Sequence, residues 1–331
     1  MRIRSQERKL LRALEIQPLA TAAQIAKQVG MKTHTVHYHW RRFLEAKVIT
    51  LRPIIDVSLL GFLDIGVFFS LAVANKIEGE KLLSTIRAIK NVAWIGTLGG
   101  DYQYGLALYC QQMAEVRSAL SKLEDEFGPI FFRKQIAPRL KVTHFPKKYL
   151  NPSTRQQTPA KEYTLGATNS KVVIDSTDAL ILSALSAAKH HSWRELARQL
   201  GMNFSTLERR IKLLVKSKVI VDFYHEINTD YLEMESFKIL LQLRTTTESA
   251  IKKITTFAKA HPNVTYLIET LGAWDIEIGV EVAKTEEITR VISELLSTSS
   301  ELILDLKPLL ELKDLKLDYF PFEANKIANQ Q

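Results

Sequence analysis

The chain is 331 residues long and 46% apolar, with 13 glycines and 10 prolines. It can hold two to four domains with buried cores and is too poor in Gly and Pro to be disordered or collagen-like. Its single cysteine, Cys110, excludes a disulfide framework and a Cys-based zinc site and fits a reducing cytoplasm. The net charge of +9 is unevenly placed: residues 1–52 carry 11 Lys/Arg against 3 Asp/Glu, residues 171–221 carry 9 against 4, and residues 222–331 carry 11 against 19. Charge gathered in this way fits a polyanion-binding surface better than general solubility.

The N-terminal MRIRSQERKLLRALEIQ lacks the apolar core of a signal peptide, and the longest apolar run, Ile65–Ala74, is too short for a membrane helix. The expectation is a cytoplasmic protein with no membrane partner. Along the first 52 residues, Ser5–Leu14 has helical spacing at Leu10, Leu11 and Leu14. Thr21 is placed to cap a short helix through Val29 that ends at Gly30, and Thr33 to cap a second running to about Ala46. Val36, Trp40, Phe43 and Leu44 form one apolar stripe on that helix. Three short helices with a glycine turn before the third predict a helix-turn-helix over 1–52. From 53 to 150 the pattern predicts strand Ile65–Ala74, helix Glu78–Ile89, strands Val92–Leu98 and Tyr102–Cys110, helix Met113–Phe127 and strand Ile130–Thr143. That order is β-α-β-β-α-β, the ferredoxin-like plan.

Residues 151–170 are polar, contain two prolines and read as a linker. The plan then repeats. Ala26–Ile49 and the stretch from Ala197 share 8 of 24 aligned residues at an offset of 171. Further on, Asn91-Val92 matches Asn263-Val264, Trp94 aligns with Tyr266 and Gly100 with Gly272, at an offset of 172. A second helix-turn-helix is expected over 171–221, with helices Asp178–Ala188, Ser192–Leu200 and Ser205–Lys216 and Asp175 or Thr177 as the first cap. A second βαββαβ unit follows over 222–325: Phe237–Leu243, Ser249–Ala260, Val264–Thr270, Trp274–Val282, Glu286–Ser297 and Leu302–Leu317. The fold class is therefore α+β, with two winged-helix-like helix-turn-helix domains alternating with two ferredoxin-like domains, a tandem duplication.

Opposite the apolar stripe, the third helix of the first unit presents Thr33, His34, Thr35, Tyr38, Arg41 and Arg42; the second presents Ser205, Thr206, Arg209 and Lys212. Arg and His can donate to guanine in a major groove, and Ser, Thr, Lys and Arg reach phosphates. The bland alternative is a solvated basic face. It is weakened because the helix occurs twice, each time in a basic segment. His34, His37 and His39 lack the acid or cysteine that would complete a metal site, so no metal and no cofactor are expected. A second candidate is the turn between the two central strands. Gly100-Asp101-Tyr102-Gln103 aligns there with Gly272-Ala273-Trp274-Asp275, an aromatic and an acid or amide beyond a glycine, able to flank a small polar ligand. The bland alternative is a hairpin turn with its aromatic packed on the sheet.

Each half resembles the Lrp/AsnC (feast/famine) regulators. The resemblance rests on Gln24-Ile25-Ala26 to Gly30 and Glu195-Leu196-Ala197 to Gly201, each copy ending in Val-Ile, and on the turn, which matches the family's G-x-aromatic-D motif at Gly272, Trp274 and Asp275. The first copy has Gln103 where the acid belongs, and Lys47 and Lys218 stand where the family usually has glycine. The resemblance implies a short strand joining each helix-turn-helix to its effector domain. It also implies effector domains that pair sheet against sheet into a homodimer or higher homo-oligomer, and an amino acid or similar effector bound near the turn residues. A non-enzymatic, sequence-specific regulator of double-stranded DNA is expected, with an asymmetric operator because the two outward faces differ. Two alternatives share the architecture. A siroheme-decarboxylase-like enzyme would need a histidine- and arginine-lined pocket, and the effector regions offer few histidines: His144, His225 and His261. The other is a ligand-sensing scaffold.

Overall fold

The computed structural model describes residues 3–72, 76–150, 161–166, 171–188 and 192–322, with side chains in the helix from Lys76 described from Gly79 onward. The first helix-turn-helix is built from α1 (Ser5–Ile16), α2 (Ala22–Val29) and α3 (Thr33–Glu45). Thr21 caps α2 in a reciprocal box: its hydroxyl accepts from the Gln24 N–H, and its own N–H donates to the Gln24 side chain at 2.7 Å. Gly30 ends α2 in the left-handed conformation, φ +69°. Thr33 does not cap α3 as expected; it is the first helical residue, and Lys32 precedes it without a side-chain cap. The second unit repeats this with α6 (Ser176–Ala187), α7 (Trp193–Gln199) and α8 (Phe204–Lys216). Asp175 accepts from the Asp178 N–H, and Ser192 from the Glu195 N–H. Lys47 and Lys218, after α3 and α8, both take positive φ, +55° and +67°. Lysine there costs about 1 kcal/mol relative to glycine.

The first βαββαβ unit comprises β2 (Leu63–Leu71), α4 (Lys76–Ala88), β3 (Val92–Gly99), β4 (Tyr104–Cys110), α5 (Met113–Phe127) and β5 (Phe131–His144). The second comprises β8 (Glu235–Leu243), α9 (Glu248–Ala260), β9 (Val264–Thr270), β10 (Ile276–Val282), α10 (Glu287–Ser299) and β11 (Ile303–Leu317). In each, alternation along the strands sends one face to the two helices. Ile65, Val67 and Phe69 pack under α4 and α5, and Ile239, Leu241, Ile276 and Ile278 under α9 and α10. The opposite faces meet in a core drawn from both units: Phe68, Trp94, Tyr102, Leu240, Trp274 and Leu309.

The two sheets are joined at both edges. β5 pairs with β2 from Phe131 to Arg139 and with β9 from Arg139 to His144. β11 pairs with β8 from Ile303 to Glu311 and with β3 from Leu310 to Leu317. Eight strands thus run β2-β4-β3-β11-β8-β10-β9-β5 and back to β2, a ring closed within one chain. Both seams between the two units are filled within the chain.

Two strands were not foreseen as a pair. β1 (Ile49–Ile55) and β7 (Ile220–Ile227), each following a helix-turn-helix, form an antiparallel ribbon centred on Arg52 opposite Tyr224. The ribbon crosses over. Ile227 and Leu232 enter the core of the first helix-turn-helix, and Ile55, Val57, Leu60 and Phe62 enter that of the second. The expected linker 151–170 contains a strand, β6 (Tyr163–Gly166), on the end of β5. Residues 151–160, 167–170 and 323–325 lie outside the described residues.

Inside the ring, an aromatic ring lies over a glycine in each unit. A Cβ at Gly279 would sit 2.0 Å from Tyr266, and one at Gly105 2.7 Å from Trp94. Gly279→Ala is expected to cost about 1–3 kcal/mol by overpacking. A thermal melt should show this as a fall in midpoint of several degrees, and Tyr266→Ala in the same chain should restore part of it.

Candidate nucleic-acid interface and the central cavity

Helices α3 and α8 each bury one side. Val36 and Phe43 are fully buried on α3, and Leu207, Ile211 and Leu214 are buried on α8. On the other side of α3, Thr33, His34, Tyr38 and Arg41 are exposed, as is His37, while Thr35 is half-buried. On α8, Ser205, Arg209 and Lys212 are exposed and Thr206 is half-buried. Lys212 Nζ lies 3.1 Å from Glu208, one turn back.

Arg42 departs from the expected outward set. Its guanidinium binds Glu7 of α1, whose side chain is only 4% exposed and also meets His39 Nδ1 at 3.0 Å. The second unit carries the same strut with other chemistry: Arg210 reaches both Asp175 and Asp178 at 2.8 Å, at the start of α6. In both units an acid on the first helix fixes the rotation of the third. The side chains left for a ligand are therefore His34, Tyr38 and Arg41 on one head and Ser205, Arg209 and Lys212 on the other. Among the described residues no cluster of three His, Cys, Asp or Glu is placed to hold a metal.

The turn residues pack into the ring. Gly100 and Gly272 take φ of +121° and +112°, a region that demands glycine. Tyr102 and Trp274 turn inward, 5% and 3% exposed, with ring centroids 6.2 Å apart. The Asp275 carboxylate accepts from the Leu243 N–H at 2.7 Å, and the Gln103 side-chain oxygen accepts from the Leu71 N–H at 3.0 Å. Gln103 thus does in the first unit what Asp275 does in the second. Only an acceptor is needed, so the missing acid is no defect. Asp101 is exposed, 3.3 Å from Arg133 and 3.8 Å from Lys307 of the other unit.

At the other end of the ring a cavity of about 1100 Å³ opens beneath the β1–β7 ribbon. Sequence reasoning missed it, because its walls come from segments far apart in the chain. Lys238 Nζ bonds Glu311 at 2.9 Å and the Tyr266 hydroxyl at 2.6 Å, and lies 4.5 Å from the Trp94 ring centre. Burial alone would lower this ammonium, but Glu311 and Tyr266 hold it above the ordinary lysine range. Arg139 sits between Asp64 at 3.5 Å and Glu277 at 3.4 Å, and burial raises the Asp64 carboxyl. Arg52 of the ribbon bonds Glu226 at 3.0 Å and the Ser186 carbonyl of α6, while the Tyr224 and Tyr319 hydroxyls bond each other. His144 and His225 also line the space, both pushed down to about 4 by burial. The few histidines of the effector regions are thus brought together with two arginines. His261 is not among them; it faces Glu294 at 3.2 Å.

Residues 174–221 match the family model for winged helix-turn-helix DNA-binding domains. The chain is 27% identical over 123 residues to the HTH-type transcriptional regulator Ptr1 of Methanocaldococcus jannaschii, covering 37% of this chain and 81% of that protein. It is 26% identical over 124 residues to an uncharacterized HTH-type transcriptional regulator of Pyrococcus furiosus, covering 37% and 82%. Among solved structures, the siroheme decarboxylase NirDL, in complex with an iron-uroporphyrin III analogue, follows the same path over 98% of this chain and 99% of its own. The TM-score is 0.58 and the identity 13%. The whole α+β architecture, both heads included, therefore exists in another single chain. Among the described residues no helix is long and apolar enough to cross a membrane.

His225 ties the ribbon to the first head: its Nδ1 lies 3.3 Å from the Leu14 carbonyl, and its ring meets Trp40 at 5.9 Å. With a folded value near 4 against an ordinary 6.5, the unfolded chain takes up this proton first. The contribution of neutral His225 is thus complete above about pH 6.5 and drains as pH falls toward 4. Between pH 7 and pH 5 the loss is about 1–2 kcal/mol from this group. His225→Gln should flatten that part of the pH–stability curve in denaturant titrations at the two pH values; an unchanged slope would show that the imidazole is not held neutral.

Proposed function

We propose that the chain is a sequence-specific transcriptional regulator of the Lrp/AsnC type, a tandem duplication in which one chain supplies both reading heads for double-stranded DNA. The observation that carries this reading is the pair of exposed polar ridges, His34–Tyr38–Arg41 and Ser205–Arg209–Lys212, on third helices whose buried sides are locked in place. They lie in the two segments where Lys and Arg most outnumber Asp and Glu. The winged helix-turn-helix match over 174–221 and the regulator relatives support it. Units 1–52 and 171–221 act as the heads, and 53–150 and 222–325 as the ring that joins them. An amino acid or similar small effector would act near Gly100, Asp101, Tyr102 and Gln103 and near Gly272, Trp274 and Asp275. Of these side chains Asp101 and Gln103 are open to solvent, so polar recognition would fall mainly on them and on the turn backbone.

A second reading, a decarboxylase acting on a siroheme-like tetrapyrrole, draws on the full-length likeness and on the cavity with its two histidines and two arginines. The charge of that cavity weighs against it. Eight Lys and Arg line it against nine Asp and Glu, and Arg52, Arg139 and Lys238 are each already engaged with carboxylates. The carboxylates of a polycarboxylate ligand would have to compete for those three cations with Glu226, Asp64, Glu277 and Glu311, which already hold them.

The test is fluorescence anisotropy with duplex DNA over a series of salt concentrations. Binding should weaken steeply with salt, with a log–log slope of roughly −0.9 for each phosphate neutralised. Arg41→Ala and Lys212→Ala should each make the slope shallower by about 1 if that side chain contacts a phosphate. The same preparation titrated with uroporphyrin III should leave the porphyrin absorbance unchanged. A shifted porphyrin spectrum together with no duplex binding would replace the regulator reading with the enzymatic one.

A further inference from the structure

We infer that Tyr38 and Arg209 are the residues that make the two half-sites of the operator different, with guanine read by Arg209 and thymine by Tyr38. The inference rests on the DNA-binding reading and names what each head selects. The two residues occupy the same place. At the offset of 171 that aligns the heads, Tyr38 falls on Arg209, flanked by Thr35 on Thr206 and by the buried Val36 on Leu207. Both side chains point away from the core, one and a half turns into their helix, where such helices meet base edges. Both heads hold the third helix by the strut from the first, so the two positions are presented by similarly anchored frames.

Their chemistry is opposed. Arg209 is exposed and has no ion pair or hydrogen bond among the described residues, although its neighbours are engaged: Arg210 with Asp175 and Asp178, and Lys212 with Glu208. A free guanidinium at that position matches the two acceptors of guanine, N7 and O6, side by side. Tyr38 is 64% exposed and cannot make that fork. Its ring is braced edge-on by His39 at 5.3 Å and by the Arg42 guanidinium 6.0 Å from its centre. A braced, exposed ring suits the C5 methyl of thymine, the one apolar group in the major groove. The heads differ again beside these residues, with His34 in place of Ser205, but Tyr38 and Arg209 differ in the kind of base they can accept.

The experiment is binding-site selection from randomised duplexes with the full-length protein, followed by affinity measurement on the selected site and its single-base variants. The expected site has two unlike parts. Replacing one guanine in one part should weaken the wild type about 10- to 100-fold. Arg209→Lys keeps the charge but loses the fork, and should erase that discrimination while leaving affinity for the other bases and the salt slope nearly unchanged. Tyr38→Arg should move the preference at the matching position of the other part from thymine to guanine. Both positions are exposed, so folding is not at stake. If Arg209→Lys retains full guanine discrimination, or if Tyr38→Arg selects the same bases as the wild type, the inference is overturned while DNA binding stands. If the wild type binds no duplex, the regulator reading itself fails.

Discussion

The molecule depends on two strands that change partners halfway along. β5 leaves β2 for β9 at Arg139, and β11 leaves β8 for β3 at Leu310 and Glu311. Because each long strand belongs to both sheets, neither βαββαβ unit has a complete edge without the other, and the pairing closes into a ring. The partner switch also explains where the buried charge lies. Arg139 and Glu311 stand at equivalent places in the two halves, at the points where the ladders cross, and each inward side chain meets its counter-charge from another strand: Asp64 and Glu277 for Arg139, Lys238 for Glu311. Such pairs add little net stability compared with apolar packing, but breaking one leaves an unpaired charge in the interior. They therefore penalise any register in which the seams slip.

The ring in turn fixes the heads. The β1–β7 ribbon lies over one end of it, and its centre is held by Arg52 and Tyr224 against Glu226, Ser186 and Tyr319. The attachments on the two sides differ. Phe320 and Phe322, just beyond β11, enter the core of the second head, and Phe322 packs on Phe62 and Tyr109. The first head is tied on that side by polar contacts as well, from Lys147 and Tyr149 to Glu281 and from the Lys147 N–H to Glu15 at 2.8 Å. The Lys147–Glu281 pair is itself largely buried, its side chains 16% and 11% exposed, so parting it would leave a charge in the interior.

What could be read from the sequence was what local pattern encodes. The helices α2, α5 and α8, the inward and outward alternation of the strands, the glycine turns and both three-helix heads follow from periodicity and caps. Partners do not. Nothing in Ile49–Ile55 says that it pairs with Ile220–Ile227 rather than with its own unit, because period-two alternation fixes which face is buried and leaves the neighbouring strand open. Tyr163–Gly166 is too short and too polar to stand out from a linker until β5 offers it an edge. Arg42 was assigned to the open face because 100° per residue resolves a side only coarsely, and a long side chain at the margin goes to the nearest buried acid, Glu7. The equivalence of Gln103 and Asp275 was hidden for another reason: a motif written in residue types records the acid, while the turn requires only an acceptor for one backbone N–H.

The closed ring also bears on why the heads can differ. A reader assembled from identical copies must place the same side chain at both corresponding positions, so any change that improves one half-site is imposed on the other. Here Tyr38 and Arg209 are separate positions of one chain, and the struts behind them, Glu7 to Arg42 and His39 in one head and Asp175 and Asp178 to Arg210 in the other, are separate as well. The apolar registers that build the heads, Val36 with Leu207 and Phe43 with Leu214, remain matched in kind because they answer to the same packing. The outward residues answer only to what they touch. Outward faces that differ in kind, over cores that stay apolar at matching positions, are the pattern expected when each frame is kept by its core and each face is set by an unlike stretch of a polyanion.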